Sequence, residues 1–230
     1  MAIVISGSTG GVGVSLAKLY AQKGHDIILL GRCENKLKDL RKILSKMNQL
    51  QIKYFVCDID DIKSVNDSIS SINDTSLEID LVINVAGVFP YGPAMEIKDE
   101  IYENCMNVNL KLPLILSTGL LNKLKATSGK IINIGSSSSY AGFKNTALYC
   151  ASKHAILGLS RALHDEWKEL GVSVHCISPG TIDTEMANVL DQDKSTYITP
   201  DEFAKLVYDV SSYKGNMLVD EVRAVRKIIR

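Results

Sequence analysis

No run of this 230-residue chain reaches the ~20 consecutive apolar residues that a membrane-spanning helix needs, so a membrane protein is not expected. Neither charge is in excess. Lysine plus arginine and aspartate plus glutamate stand at 26 each, which leaves no electrostatic footprint for nucleic acid or an anionic membrane. Cys-x-x-Cys is absent, and Cys33, Cys57, Cys105, Cys150 and Cys176 are odd in number and scattered. That argues against a disulfide framework or a zinc site and for a reducing compartment. The four histidines have no metal-ligand spacing with each other or with the cysteines, and His154 reads as a helix-surface residue. Repeats, low-complexity stretches and linkers are also missing, so residues 1–230 are expected to form a single domain. The first strand starts at Ala2, which leaves no room for a cleavable leader and makes a cytoplasmic location the expectation.

What the chain does have is alternation. Apolar strand patterns at 2–6, 26–30, 54–57, 79–84, 130–134 and 172–177 alternate with helical patterns, and a last strand is expected between Met217 and Ile229. The helices are expected from Val14 to Gly24, 34–47, 61–73, 98–124 with a bend at Pro113, and 146–170 closing at Gly171. A final one opens at Thr199-Pro200 and runs to about Tyr208. Continuous apolar strands between helices imply an α/β fold, a doubly wound parallel sheet of roughly seven strands covered on both faces. The basic residues of 36–46 recur with leucines at helical spacing and read as a solvated helix face. The basic tail 223–230, interleaved with Val225, Ile228 and Ile229, fits an edge strand.

The first strand runs into Gly7-x-x-x-Gly11-x-Gly13 and then a helix. Glycines permit a tight turn and close backbone approach, and the helix N-terminus offers unpaired N–H groups to a pyrophosphate. The spacing is not the usual G-x-G-x-x-G. Its place after the first strand of an alternating β/α chain is what favours a nucleotide loop over an ordinary turn. At the end of the second strand, an acid would hold a ribose 2′-hydroxyl and repel a 2′-phosphate. Here the chain has Gly31-Arg32-Cys33, with no acid before Glu34. The guanidinium fork suits a phosphate, so the expected cofactor is NADP, with NADPH preferred over NADH.

Tyr-x-x-x-Lys occurs twice, and such a pair meets only on a helix. Tyr140-Ala-Gly-Phe-Lys144 contains a glycine, lies close behind a strand and lacks a continuing apolar stripe, so it reads as a loop. Tyr140 and Lys144 are then candidates for lining a pocket. Tyr149-Cys-Ala-Ser-Lys153 opens the helical run Ala151, Ala155, Ile156, Leu159, Leu163. There the ammonium is expected near the phenol, favouring its ionised form and lowering a pKa of ~10 toward the working range.

Taken together, residues 1 to about 210 resemble the short-chain dehydrogenase/reductase family, whose fold is Rossmann-like. The resemblance rests on several motifs in order: Ser6-Gly-x-x-x-Gly-x-Gly13, Cys57-Asp58-Ile59, Asn84-Val-Ala-Gly87, Asn107-Val-Asn-Leu110, Ser136 thirteen residues before Tyr149, and Pro179-Gly-x-x-x-Thr184. It implies a catalytic set of Asn109, Ser136, Tyr149 and Lys153. Tyr149 would be the acid/base, Ser136 would orient the carbonyl, and Lys153 would lower the tyrosine pKa and bind the nicotinamide ribose. Asn109 would hold a water linking Lys153 to solvent. The implied cofactor-binding set is Gly7, Ser8, Thr9, Gly11, Val12, Gly13, Arg32, Asp58, Ile59, Asn84, Ala86, Gly87, Tyr149, Lys153, Pro179, Gly180, Ile182 and Thr184. The implied substrate is a small carbonyl compound or its alcohol.

Three departures stand out. Ser6 replaces the family's threonine but keeps its hydroxyl, Val85 removes an amide from the usual Asn-Asn-Ala-Gly, and the Asp-Gly-Gly ending is missing. Two other readings share the fold: a nucleotide-binding sensor without catalysis, whose mark would be loss of the serine, tyrosine or lysine, and a nucleotide-sugar epimerase or dehydratase, which needs a longer C-terminal region. Phe89, Tyr91, Met95, Phe143 and Met186 are expected around a partly apolar pocket, together with Tyr140. Small residues at Ala147, Cys150, Ala151 and Ala155 permit close helix packing and, with family habit, imply a homodimer or homotetramer.

Overall fold

Aliphatic residues pointing alternately to opposite faces require cover on both sides of a sheet, and the chain supplies it. The computed structural model describes residues 1–47, 49–190, 192–215 and 217–227. In it β1 (Ala2–Ser6), β2 (Asp26–Gly31), β3 (Ile52–Val56), β4 (Ile79–Asn84), β5 (Lys130–Ile134), β6 (Ser173–Pro179) and β7 (Glu221–Ala224) form one parallel sheet. Its order is β3-β2-β1-β4-β5-β6-β7, the Rossmann-like arrangement expected from the alternation.

Val4, Leu30, Val82 and Ile131 pack on one face with α3 (Ile62–Asn73), α5 (Leu112–Gly119), α6 (Leu121–Thr127) and α7 (Ala147–Trp167). Ile5, Leu29, Ile83 and Ile132 pack on the other with α1 (Gly11–Gln22), α2 (Glu34–Leu44) and α8 (Pro200–Ser212). Strand order reverses between β1 and β4, so the crevice at their carboxyl ends is where this topology receives a ligand.

The long helix expected over 98–124 is instead three. α4 (Asp99–Met106) runs into a π turn at Asn107–Lys111, where the Leu112 N–H reaches back to the Asn107 carbonyl. Pro113 then falls in the first turn of α5, where its missing N–H costs nothing. The break therefore precedes the proline. A second one at Leu120 separates α5 from α6. Beside it a Cβ on Gly119 would come within 2.8 Å of Ile69, so α5 passes close against α3.

α8 opens as expected and runs further, to Ser212. The Thr199 hydroxyl accepts the Glu202 N–H and the Glu202 side chain accepts from the Thr199 N–H, a capping box. Thr199→Ala is expected to lower stability by about 1 kcal/mol, read as a shift in the urea unfolding midpoint; an unchanged midpoint contradicts it.

The tail departs from the edge-strand expectation. β7 pairs Glu221–Ala224 with Cys176–Pro179 and ends there, because β6 turns away at Pro179 and the Gly180 N–H closes the ladder on the Ala224 carbonyl. Residues 225–227 are not strand, and Ile228 and Ile229 lie outside the described residues. Among the described residues no helix is long and apolar enough to cross a membrane, and no cluster of His, Cys, Asp or Glu could hold a metal ion.

Candidate active site

Three glycines bring the loops after β1, β4 and β6 together. Gly7 has φ +63°, and a Cβ there would lie 2.7 Å from the Ala86 backbone. A Cβ on Gly13 would lie 2.2 Å from the Gly7 carbonyl oxygen, and one on Gly11 would lie 2.9 Å from the Thr184 methyl. The turn is thus closed on itself, while the start of α1 stays open. Gly10 caps α1 with extended backbone and no side-chain hydrogen bond, and among the described residues no side chain claims the first-turn N–H groups of Gly11, Val12 and Gly13. This cradle fits the pyrophosphate of a dinucleotide.

Ser8 turns its donors away from it. It is fully buried, and both its N–H and its hydroxyl donate to the Leu30 carbonyl, each at 3.0 Å, tying the turn to β2. Thr9 faces Gly31, where its Oγ1 lies 3.4 Å from a Cβ position. Arg32 follows as an exposed side chain with no hydrogen bond or ion pair among the described residues. Asp58 is half-buried after β3, its N–H on the Ser64 hydroxyl and its Oδ1 accepting the Asp60 N–H. The Ile59 side chain is buried in the core, which leaves only its backbone for a ligand.

The second half of the cleft is built by β4, β5 and α7. Ser6 keeps the role its hydroxyl promised, accepting the N–H groups of Val85 (3.2 Å) and Ala86 (3.4 Å). Asn84 is buried beneath the cleft. Its amide donates to Asn133 Oδ1 at 2.8 Å, and Asn133 passes the chain to the Ser160 hydroxyl at 2.9 Å. The Asn84 Oδ1 is buried with no partner among the described residues.

Asn109, on the π turn, is by contrast saturated. Its Oδ1 accepts the Val88 N–H at 2.9 Å and its Nδ2 donates to the Val88 carbonyl and the Ser152 hydroxyl, each at 3.0 Å. That side chain is a strut between the β4 loop and α7. Its backbone carbonyl lacks the usual i+4 donor, because that residue is Pro113, which has no N–H.

Tyr149 and Lys153 occupy the first two turns of α7, and Ser136 follows β5. Ser136 begins a tight turn of serines. Its hydroxyl accepts the Ser138 N–H, and the Ser139 hydroxyl accepts the Ser136 N–H, both at 3.1 Å. The Ser139 hydroxyl is therefore a loop hydrogen-bonder.

The electrostatics run against the expectation. Burial pushes the Tyr149 phenol up to about 12, with the nearby Ser136 side chain pulling partly the other way. Burial pushes the Lys153 ammonium down to about 8. Lys153 is buried, donates to the Ile134 carbonyl at 2.8 Å, and lies 5.7 Å from the centre of the Tyr149 ring. No hydrogen bond joins it to the phenolic oxygen among the described residues. Helical spacing brought the two together, but loss of water outweighs their attraction.

Phe89 stands edge-on to Tyr149 with ring centres 4.6 Å apart, and Tyr91 adjoins it at 5.9 Å. Met186 reaches to within 3.9 Å of a Cβ position on Gly87. These line the mouth. Met95 is 92% exposed, Phe143 and Lys144 are exposed, and Tyr140 turns away, its hydroxyl donating to Glu221 at 3.0 Å. His154 lies on the surface as expected. Pro179 is buried, Gly180 is tied to β7, and Ile182 bridges to Ile198, which leaves Thr184 against the glycine turn. Ser152, Asn133 and Ser160 had no role assigned from the sequence. Asn133 and Ser160 did carry a signal, an asparagine inside an apolar strand and a serine on the buried stripe of a helix.

The short chain dehydrogenase family matches residues 1–195. An oxidoreductase of Staphylococcus epidermidis is 30% identical over 220 residues, covering 95% of this chain and 94% of that one. A 3-oxoacyl-[acyl-carrier-protein] reductase of Rickettsia felis is 27% identical over 229 residues, covering 95% and 92%. Among solved structures, an alcohol dehydrogenase from the archaeon Thermococcus sibiricus complexed with 5-hydroxy-NADP shares the fold with a TM-score of 0.90 at 23% identity, covering 98% and 95%. A gluconate 5-dehydrogenase from Beutenbergia cavernae with bound NADP gives 0.88 at 25% identity, covering 97% and 94%. With the glycine turn, the serine turn and the Tyr149–Lys153 helix all at the carboxyl edge of the sheet, the chain belongs to the short-chain dehydrogenase family of oxidoreductases.

Proposed function

We propose that this chain is an NADPH-dependent reductase that interconverts a small carbonyl compound and its alcohol, with Tyr149 as the acid/base. The observation that carries this reading is the placement of the Tyr149 hydroxyl beside Ser136 and above a buried Lys153, in the same crevice as an anion cradle. The cradle at Gly7–Gly13 would hold the pyrophosphate, Arg32 a 2′-phosphate, and Lys153 with Tyr149 the nicotinamide ribose. When bound, the cofactor supplies or accepts the hydride.

Ser136 donates a hydrogen bond to the substrate oxygen and aligns it. The Tyr149 O–H delivers its proton to that oxygen as negative charge develops there. Lys153, close to the ring, stabilises the phenolate left behind, and a water held at Asn109 would link the lysine to solvent. Phe89, Tyr91 and Met186 give the mouth an apolar lining suited to a small, uncharged ketone or aldehyde. Assembly as a homodimer or homotetramer is part of the proposal. Ala147 and Ala151 are exposed on α7 and allow close approach, while Cys150 faces inward onto the Thr146 hydroxyl. Light scattering on an eluting sample measures it.

Oxidation of NADPH by a panel of small ketones and aldehydes tests the reaction, and absence of turnover with all of them overturns it. Arg32→Ala is expected to raise KM for NADPH by roughly 10- to 100-fold, the worth of a charge-assisted hydrogen bond, and to leave KM for NADH unchanged. A wild-type preference for NADH that the substitution does not alter would remove the 2′-phosphate assignment.

A further inference from the structure

Tyr140 and Glu221 lie 81 residues apart in sequence, and neither touches the reacting groups, yet they meet behind them. Glu221 opens β7 opposite Cys176 of β6. Its carboxylate takes both the Nε and the Nη2 of Arg161 on α7, the second at 3.0 Å, and also the Tyr140 hydroxyl at 3.0 Å. The Arg223 guanidinium lies 5.4 Å from the centre of the Tyr140 ring. Three elements are thereby joined at one carboxylate: the serine turn that starts at Ser136 and ends at Tyr140, the helix that carries Tyr149 and Lys153, and the last strand.

The serine turn has little freedom from below. A Cβ on Gly135 would lie 2.2 Å from the Ser178 hydroxyl and 3.1 Å from the Cys176 sulfur, so the turn is seated hard on β6. Its far end is held by Tyr140. The Arg161 guanidinium holds the Glu221 carboxyl below the usual carboxylate range, so the acceptor stays charged at working pH. A bidentate arginine–carboxylate pair fixes direction as well as distance.

We infer that Glu221, with Arg161 and Tyr140, is a positioning clamp that fixes the Ser136 turn relative to the Tyr149 helix and so sets the alignment of the substrate oxygen between the two hydroxyls. The inference rests on the reading of Ser136 as the orienting group. It gives the atypical C-terminal strand a part in catalysis at second hand. Alignment errors of about 1 Å cost up to ~100-fold in rate, so loosening one of several ties should cost about tenfold.

A double-mutant cycle on kcat for carbonyl reduction tests it, with Tyr140→Phe and Ser136→Ala made singly and together. Tyr140→Phe removes one hydroxyl and keeps the ring over which Arg223 lies. In the wild-type background it is expected to lower kcat about tenfold with KM for NADPH unchanged, and in the Ser136→Ala background by less than about twofold. Glu221→Gln, which keeps an acceptor oxygen for Tyr140, is expected to retain more activity than Glu221→Ala. Equal losses in both backgrounds would mean a general structural role and would overturn the clamp. Loss of activity in Ser136→Ala with none in Tyr140→Phe removes the clamp alone. Full activity in Ser136→Ala removes the serine's role and the clamp with it.

Discussion

Tyr149→Phe is expected to lower kcat for carbonyl reduction by roughly 10²- to 10⁴-fold, the range that a positioned general acid contributes. The ring would keep its edge contact with Phe89, while loss of the hydroxyl's share in holding the nicotinamide ribose should raise KM for NADPH by less than it lowers kcat. The pH dependence is the sharper test, because the two directions of reaction need opposite forms of the phenol. Burial pushes Tyr149 up to about 12. Below that value the phenol is protonated, so the form that reduction needs is fully present across the working range. Oxidation needs the phenolate, roughly one part in 10⁵ at pH 7 for a pKa of about 12, rising tenfold per pH unit.

Reduction should therefore be flat in pH until Lys153 loses its proton near 8, then fall, while oxidation climbs with pH over the same interval. The Phe variant should show neither slope. Two findings would overturn the assignment: undiminished reduction by Tyr149→Phe, or a reduction rate that drops already at pH 6–7 as if the phenol were half ionised there.

The sheet was legible because each strand is a short apolar run between helical stripes, and β4 and β5 run from Ile79 to Asn84 and from Lys130 to Ile134 as read. The convergence of Gly7, Gly11, Gly13, Ala86 and Thr184 was legible too, since carboxyl ends of parallel strands share one edge. What escaped depends on contacts that spacing does not encode. A π turn at Asn107–Lys111 has no residue signature, so the bend was assigned to Pro113, one turn too late. The Tyr140 loop was recognisable from its glycine, but its partner Glu221 sits beyond three intervening elements. Ser8 stood in the implied cofactor-binding set, and nothing in the sequence signals that its N–H and hydroxyl both turn to the Leu30 carbonyl. The sign of the Tyr149 shift followed the same pattern. The i,i+4 spacing reports that an ammonium is near, and nothing in it reports how much water both groups have lost.

Lys153→Met carries the second large effect, and it concerns stability as much as rate. The reaction should be lost, because the methionine leaves no cation beside the phenol. Stability should rise. Burial moves Lys153 from 10.5 to about 8, so the folded state holds the charged lysine at a cost that an unfolded chain does not bear. At ~1.4 kcal/mol per pKa unit the cost is about 3 kcal/mol at any pH below 8, where both states are protonated. It shrinks between 8 and 10.5, where only the unfolded state keeps its proton, and it is absent above 10.5. Methionine removes this cost at low pH and fills similar volume, but it leaves the Ile134 carbonyl without its 2.8 Å donor, a loss of about 1 kcal/mol.

The net expectation is a gain of about 2 kcal/mol at pH 6, or roughly 4–8 °C in Tm for a chain of this size, fading through pH 8–10 and reversing sign above. Urea titrations of both proteins at pH 6 and pH 9.5 measure it. Equal or lower stability of the methionine variant at pH 6 would show that the ammonium is well solvated in the folded protein. The fall of the reduction rate near pH 8 would then need another group. A stabilised, inactive variant would show instead that the chain tolerates a charged lysine in its interior because the proton transfer at Tyr149 requires one.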